Sequence, residues 1–251
     1  MSEKNKPAGL PFFFTSWSIP CCIGLLMAVG LQTTKAQTAI PQNLQKYDQQ
    51  KIHFGFLLGF NSANFIVNPV ANFNRLDSLY VLESTSAPGF HLGILANLRL
   101  GEHFDLRFLP DLSFSQRDLS YTFVRHDSIK TTVLKTIEST YLEFPLQVKF
   151  KSTRIKNYRI YLIGGFKYSL DMASQSKVKD SETKHLVKLD KNNYCYEFGI
   201  GIDAYMELFK LSPEIKISQS LNNLMVADAS IFSSSIDRIF SQMLYLTVTF
   251  E

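Results

Sequence analysis

The sequence has 251 residues, of which 45% are hydrophobic, 13% aromatic and 19% charged, with a formal net charge of +4. Disordered chains combine few aromatics with high net charge, so this composition excludes intrinsic disorder. A polytopic helical membrane protein is excluded too, because only one stretch approaches the roughly 20 apolar residues that a spanning helix needs. The 26 basic and 22 acidic residues are spread along the chain without a nucleic-acid-binding stripe, and 21 Phe and 11 Tyr stand against one Trp.

The N-terminus reads as an export signal. Lys4 and Lys6 precede an apolar stretch from Leu10 to Leu31, interrupted by Thr15, Ser16, Ser18 and Pro20 and cleanest over residues 23–31. Thr34 and Ala36 then supply the small residues that flank a cut after Ala36. The rival reading is an uncleaved anchor over residues 12–31; the small-residue site and the polar interruptions favour cleavage. Ser18-Ile19-Pro20 before Cys21 lacks the Leu-x-small pattern of an acylated cysteine. The expected organisation is a signal peptide over 1–36, a periplasmic N-terminal segment over 37–50 and a barrel over 51–251. Without the leader the mature chain has three Lys and one Glu fewer, and a net charge near +2. It keeps one cysteine, Cys195, so no internal disulfide and no Cys/His zinc spacing is available.

From residue 52 onward the dominant period is two, the signature of strands. In the first, Ile52, Phe54, Phe56, Leu58 and Phe60 alternate with His53, Gly55, Leu57 and Gly59. In the second, Phe90, Leu92, Ile94, Ala96, Leu98 and Leu100 alternate with His91, Gly93, Leu95, Asn97 and Arg99. The alternation recurs over residues 105–115, 141–150, 160–168, 195–206, 211–218 and 244–250, making eight strands, each with one apolar and one mainly polar face.

Short connections fall at 101–103, 151–158 and 207–210, and long ones at 61–86, 116–140, 171–193 and 220–238. An even strand count with alternating short turns and long loops is the layout of outer-membrane barrels, with both termini periplasmic. Parts of the long connections, Tyr121 to Val124 and Thr131 to Leu134, read as strand extensions beyond the membrane. The bilayer explains the alternation, since a sheet can span hydrocarbon only as a closed barrel, apolar outside and polar within. A soluble barrel alternates as well, with its apolar face inward. The export signal, the loop asymmetry and the aromatic-ended strand from Tyr245 to Phe250 favour the membrane. That strand resembles the terminal assembly signal of outer-membrane proteins, with Glu251 departing from the pattern.

Three segments carry a more specific likeness. Tyr141-Leu142-Glu143-Phe144-Pro145-Leu146 resembles the Tyr-x-Glu-x-Pro-Leu strand of the PorT-type barrels of Bacteroidota, and Tyr161-Leu162-Ile163-Gly164-Gly165 is similar to the strand that follows it. Tyr196 to Asp203, Pro213 to Lys216 and Ser220-Leu221-Asn222-Asn223-Leu224 resemble the closing hairpin and the loop entry, with Ser220 where the family usually has Gly. The resemblance covers essentially the whole mature chain, and sister barrels share these strands. It implies an accessory role in type IX protein secretion across the outer membrane, with other secretion-machine proteins as partners, no catalytic residues and no cofactor.

The polar face predicts a lumenal network of Arg99, Asp105, Arg107, Asp111, Glu143, Lys149, Lys167, Glu197, Asp203, Glu214 and Lys216, almost balanced in charge. An eight-stranded barrel is just wide enough inside for side chains to fill it, so folded cargo cannot pass. No Gly-x-Ser-x-Gly is present, and His53, His91, His103, His126 and His185 are far apart in sequence, so no enzyme and no small-molecule substrate is expected. A second reading is a surface binding module. Phe73, Leu76, Tyr80 and Leu82 in one long connection, and Leu224, Met225, Ile231 and Phe232 in another, suit either a partner protein or a cap over the barrel. The connection over 174–193, rich in Lys, Asp, Ser and Thr, reads as solvated.

Overall fold

The computed structural model describes residues 41–70, 79–124, 130–173, 189–226 and 236–251. A 3-10 turn at Tyr47–Gln49 precedes nine strands: β1 (Ile52–Pro69), β2 (Leu79–Arg99), β3 (Phe104–Phe108), β4 (Asp111–Val124), β5 (Lys130–Lys151), β6 (Tyr158–Asp171), β7 (Asn192–Tyr205), β8 (Lys210–Ser220) and β9 (Ile236–Phe250). All pairings are antiparallel, and β1 pairs with both β2 and β9, which closes the sheet into a ring.

β3 and β4 share one position in the ring, since both lie between β2 and β5. The ring therefore has eight staves, as the periodicity predicts, and its third stave is broken at Leu109–Pro110. Pro110 has no N–H to give to a ladder. The neighbours absorb the break: Leu109 N donates to Pro145 O at 3.1 Å and Ile94 N donates to Pro110 O at 3.0 Å. Leu109 turns fully inward and packs on Leu57 and Leu95.

The facing of the side chains decides between a soluble and a membrane barrel. Phe54, Phe60 and Phe166 are 75%, 69% and 71% exposed, whereas Arg107, Gln147 and Lys149 are 0% exposed. Apolar residues form a continuous outer belt and charges fill the interior, the reverse of a water-soluble core.

Two of the four long connections are shorter than the sequence pattern suggests. Between 61 and 86 the chain is mostly strand, with β1 running to Pro69 and β2 starting at Leu79, so Tyr80 and Leu82 belong to a strand. β4 and β5 pair without interruption from Asp111↔Glu143 to Val124↔Lys130, which includes the extensions expected there. The 22 residues of β5 span roughly 70 Å, well beyond the 9–11 residues that a tilted strand needs to cross a bilayer. The sequence pattern underestimates these strands because above the bilayer one face no longer has to be apolar.

Candidate functional site

The interior can be followed along β5, whose inward residues each hold a group from another stave. Nearest the short turns, Lys151 Nζ lies 2.6 Å from Asp105 Oδ1, and Lys149 Nζ lies 2.7 Å from Asp203 Oδ1, which also accepts from Ser212 Oγ. Beside them Arg107 donates to Glu214 at 2.6 Å, and the Tyr161 hydroxyl donates to the same carboxylate at 2.9 Å. Gly201 makes that possible, because a Cβ there would overlap the Tyr161 ring.

Farther along, Gln147 donates to Glu197 at 2.6 Å. Lys167 bridges Glu197 at 3.3 Å and Glu143 at 3.1 Å, and the Tyr245 hydroxyl lies 3.0 Å from both Glu143 oxygens. His91 stands edge-on to Tyr245 and meets Thr247 Oγ1 at 3.0 Å. Beyond this hub, Arg117 donates to the Tyr141 hydroxyl at 3.1 Å and to Ser241 at 2.8 Å, with its guanidinium over the Phe65 ring. Removing these charges from water is costly, so each needs a partner in place; the interior of this barrel supplies them stave by stave.

The mouth at the short turns is closed by the segment that precedes β1. Asp48 accepts from Arg154 at 3.3 Å, from Arg159 at 3.1 Å and from the Tyr205 hydroxyl at 3.1 Å. Arg154 stacks over the Tyr205 ring and donates to the backbone oxygen of Asn43. Asn43 donates in turn to Asn157 and to Tyr205 O. Tyr47 stacks on His53 at 3.9 Å, and its hydroxyl donates to Glu251 at 2.8 Å. Glu251 also pairs with Lys210 at 2.9 Å. Burial would push the Glu251 carboxyl up, but Lys210, with Lys149 and Arg107, holds it down at about 2. Partial burial likewise opposes ionisation of Asp48, and Arg159 with Arg154 overcomes it and lowers its pKa. Burial and the neighbouring Glu251 push the Tyr47 phenol far up, so it stays a donor. Leu44, at φ 50, takes the left-handed conformation that lets the strap turn into the mouth.

The opposite mouth is closed by apolar packing. Phe65, Leu119, Tyr121, Leu189, Leu224, Ile236 and Ile239 form one buried cluster, with Val67, Val133, Ile137 and Met225 against it. Asn223 fixes its rim, its Oδ1 accepting from Met225 N and Ile239 N. No group of metal-ligating side chains occurs among the described residues.

An apolar outer belt around a charged, side-chain-filled interior, closed at both ends, is the interior plan of a small outer-membrane barrel. Residues 36–226 match the family described as outer membrane protein beta-barrel domain. The chain belongs to this family. Its place is the outer membrane, with the apolar belt in the lipid. No curated protein matches the sequence. Among solved structures it is similar to Neisserial surface protein A, at 12% identity over 80% of this chain and 98% of that one, with a TM-score of 0.40. It is also similar to the outer membrane protein OprG from Pseudomonas aeruginosa, at 9% identity over 80% and 97%, with a TM-score of 0.39. A third is Ail, the attachment invasion locus protein of Yersinia pestis, at 10% identity over 80% and 99%, with a TM-score of 0.35.

Within this outer-membrane barrel, ten of the eleven residues expected in the lumenal network are buried there. Lys216 is the loosest of the paired ones, 3.9 Å from Glu214. Asp111 faces Glu143 across β4 and β5, and its Oδ1 has no hydrogen-bond partner among the described residues. Arg99 stands apart: half-buried at the short-turn mouth, it donates to Gly101 O and makes no ion pair among the described residues. Leu224 is buried in the apolar cap and Met225 packs on it, so Leu224 is not free to meet a partner protein. Phe73, Leu76, Ile231 and Phe232, and Ala36 at the expected cleavage site, lie outside the described residues.

Several interior residues escape the sequence reading. Arg117, Leu119 and Tyr121 continue the odd-numbered inward row of the third stave, a continuation visible in the sequence once the strand is carried past residue 115. Lys151 continues the row of Lys149 in the same way. Asp48, Tyr47 and Glu251 have no such signal, because their contacts depend on ring closure.

Proposed function

We propose that this barrel is a non-enzymatic accessory component of protein secretion across the outer membrane, of the PorT-like type IX kind. The observation that carries the accessory role is the filled interior. With Lys167 bridging Glu143 and Glu197 in its middle, a strap in one mouth and an apolar cap in the other, the barrel offers no path for cargo, so it acts by contact with other machine components. The resemblance of Tyr141 to Leu146 and of Ser220 to Leu224 to PorT-type barrels points to type IX secretion. In this chain those motifs serve the fold: Glu143 is the lumenal hub, Pro145 O takes the amide of Leu109, and Asn222 ties the loop entry to Tyr194 N and Asn192 O. On this reading residues 1–36 are a cleaved signal peptide, and the short turns and both termini face the periplasm.

The test is a clean deletion strain in which proteins bearing C-terminal sorting domains are located. The expected result is their unprocessed accumulation in the periplasm, reversed by complementation. Normal export would remove the secretion role and favour a second reading, a surface binding module. What supports that alternative is the β4–β5 hairpin, which carries the sheet well beyond the bilayer.

A further inference from the structure

On the loop side of the bilayer, β5 outruns one of its neighbours. Its apolar belt ends at Leu142, and its pairing with β6 stops at Tyr141↔Asp171, with a last bond from Met172 N to Thr140 O. From Ser139 to Lys130 it still pairs with β4 without a register shift. Against its other side, no strand lies along residues 130–139 among the described residues.

The ladder tells which backbone groups face that side. In an antiparallel strand the N–H and C=O of one residue point the same way, and the direction alternates along the chain. Thr140 O looks toward β6, and Pro145 O looks toward the third stave, where it takes the Leu109 amide. Even positions therefore face away from β4. Thr132, Leu134, Thr136 and Glu138 present their N–H and C=O groups to an open edge. Natural sheets blunt such edges with proline, bulges or short strands. This edge has no proline or glycine from Lys130 to Thr140 and no bulge.

The side chains define what fits there. Inward, Val133 and Ile137 are half-buried against the apolar cap, so the cap reaches this edge with carbon surface still uncovered. Outward, Glu83, Asp118 and Glu138 share one face of β2, β4 and β5. Thr132, Leu134 and Thr136 are exposed on that face, and no cation stands on it among the described side chains.

We infer that the loop-side edge of β5 is a strand-addition site for an extended segment of a partner protein, apolar at the positions that turn inward and basic at those that turn outward. In strand addition the backbone bonds give affinity and the alternate side chains give specificity. Inward residues of the added strand extend the cap past Val133 and Ile137, and its outward residues meet the carboxylates. A second copy upright in the same membrane would offer its own β5 edge in parallel and set like charges side by side, so the occupant is a different protein. The inference gives the contact role proposed above a surface, and it does not depend on secretion, which the deletion strain reads separately.

The test is amide exchange on the full chain refolded into phosphatidylcholine nanodiscs. In the protein alone, the amides of Leu134, Thr136 and Glu138 should exchange at least about ten-fold faster than those of Val133, Lys135 and Ile137. The probe is a synthetic peptide of roughly nine alternating valines and lysines. Its addition should slow the even-numbered amides and leave the odd ones unchanged. Leu134→Pro removes one edge N–H and spares the bonds to β4, so it should weaken peptide binding roughly ten-fold. Leu134→Ala should bind as the parent does, and heat-modifiable gel mobility confirms that both variants are folded. Even amides already as protected as the odd ones would show the edge covered within the chain and overturn the site. So would a peptide that protects nothing, or one that binds the proline variant equally well. A peptide with glutamates in place of the lysines should bind roughly five-fold more weakly at low salt; equal binding would overturn the basic character of the partner.

Discussion

At the short-turn end of the barrel the closing element is a polar strap, in which Asp48 meets two arginines and Tyr47 meets Glu251. At the loop end it is an apolar cluster around Leu119, Leu224 and Ile239. Between them lies an interior held by paired charges. The contrast shows that one ring can be sealed by two kinds of physics with different sensitivities: charge pairing responds to pH and salt, and packing responds to the volume of its side chains.

The largest effect is expected between the two ends. Glu214→Leu leaves Arg107 buried without its carboxylate, which should cost about 3–5 kcal/mol in urea unfolding of the barrel in vesicles. Adding Arg107→Met should recover part of that loss, because it removes the uncompensated guanidinium while the Tyr161 hydroxyl and Lys216 still lack the carboxylate; no recovery at all would mean that the buried guanidinium is not the source of the cost.

Next comes the loop end. Leu119→Ala should cost about 2–4 kcal/mol, and the loss should be the same at low and high salt. A salt-dependent loss would show that the cap is coupled to the charged interior.

Acid should separate the ends. Asp48 and Glu251 both have lowered pKa values when folded, Glu251 at about 2. Their contribution is therefore fully present above the ordinary carboxylate range and is lost as pH falls toward 2. Amide exchange at Gln49 and Gln50, whose N–H groups close the 3-10 turn, should lose protection over that window. The Leu224 amide, bonded to Ile239 O, should keep it. Parallel loss at both would mean that the two closures are one cooperative unit.

The smallest effect is Asp48→Asn. The Asp48 side chain is 28% exposed, so solvent screens its pairs, and the loss should be about 0.5–1 kcal/mol, shrinking as salt is raised. A larger, salt-insensitive loss would move the strap into the same class as the interior.

The alternation from Ile52 to Phe250 already specified eight staves, an apolar and a polar face on each, and most of the charged residues that fill the lumen. A period of two is a local property, written in neighbouring residues, so a sequence carries it openly. Which face turned outward was not local, since a soluble barrel has the same period; the exposure of Phe54 and Phe166 beside the buried Lys149 settled it. Partner choice was beyond the sequence for the same reason: Lys149 with Asp203, or Arg107 with Glu214, joins residues 54 and 107 positions apart, through the closure and stagger of the ring. The break at Leu109–Pro110 and the closing of the mouth by Asp48 and Glu251 were likewise decided by tertiary structure. An inward leucine at a broken strand and a carboxylate between arginines exist only once distant staves are side by side.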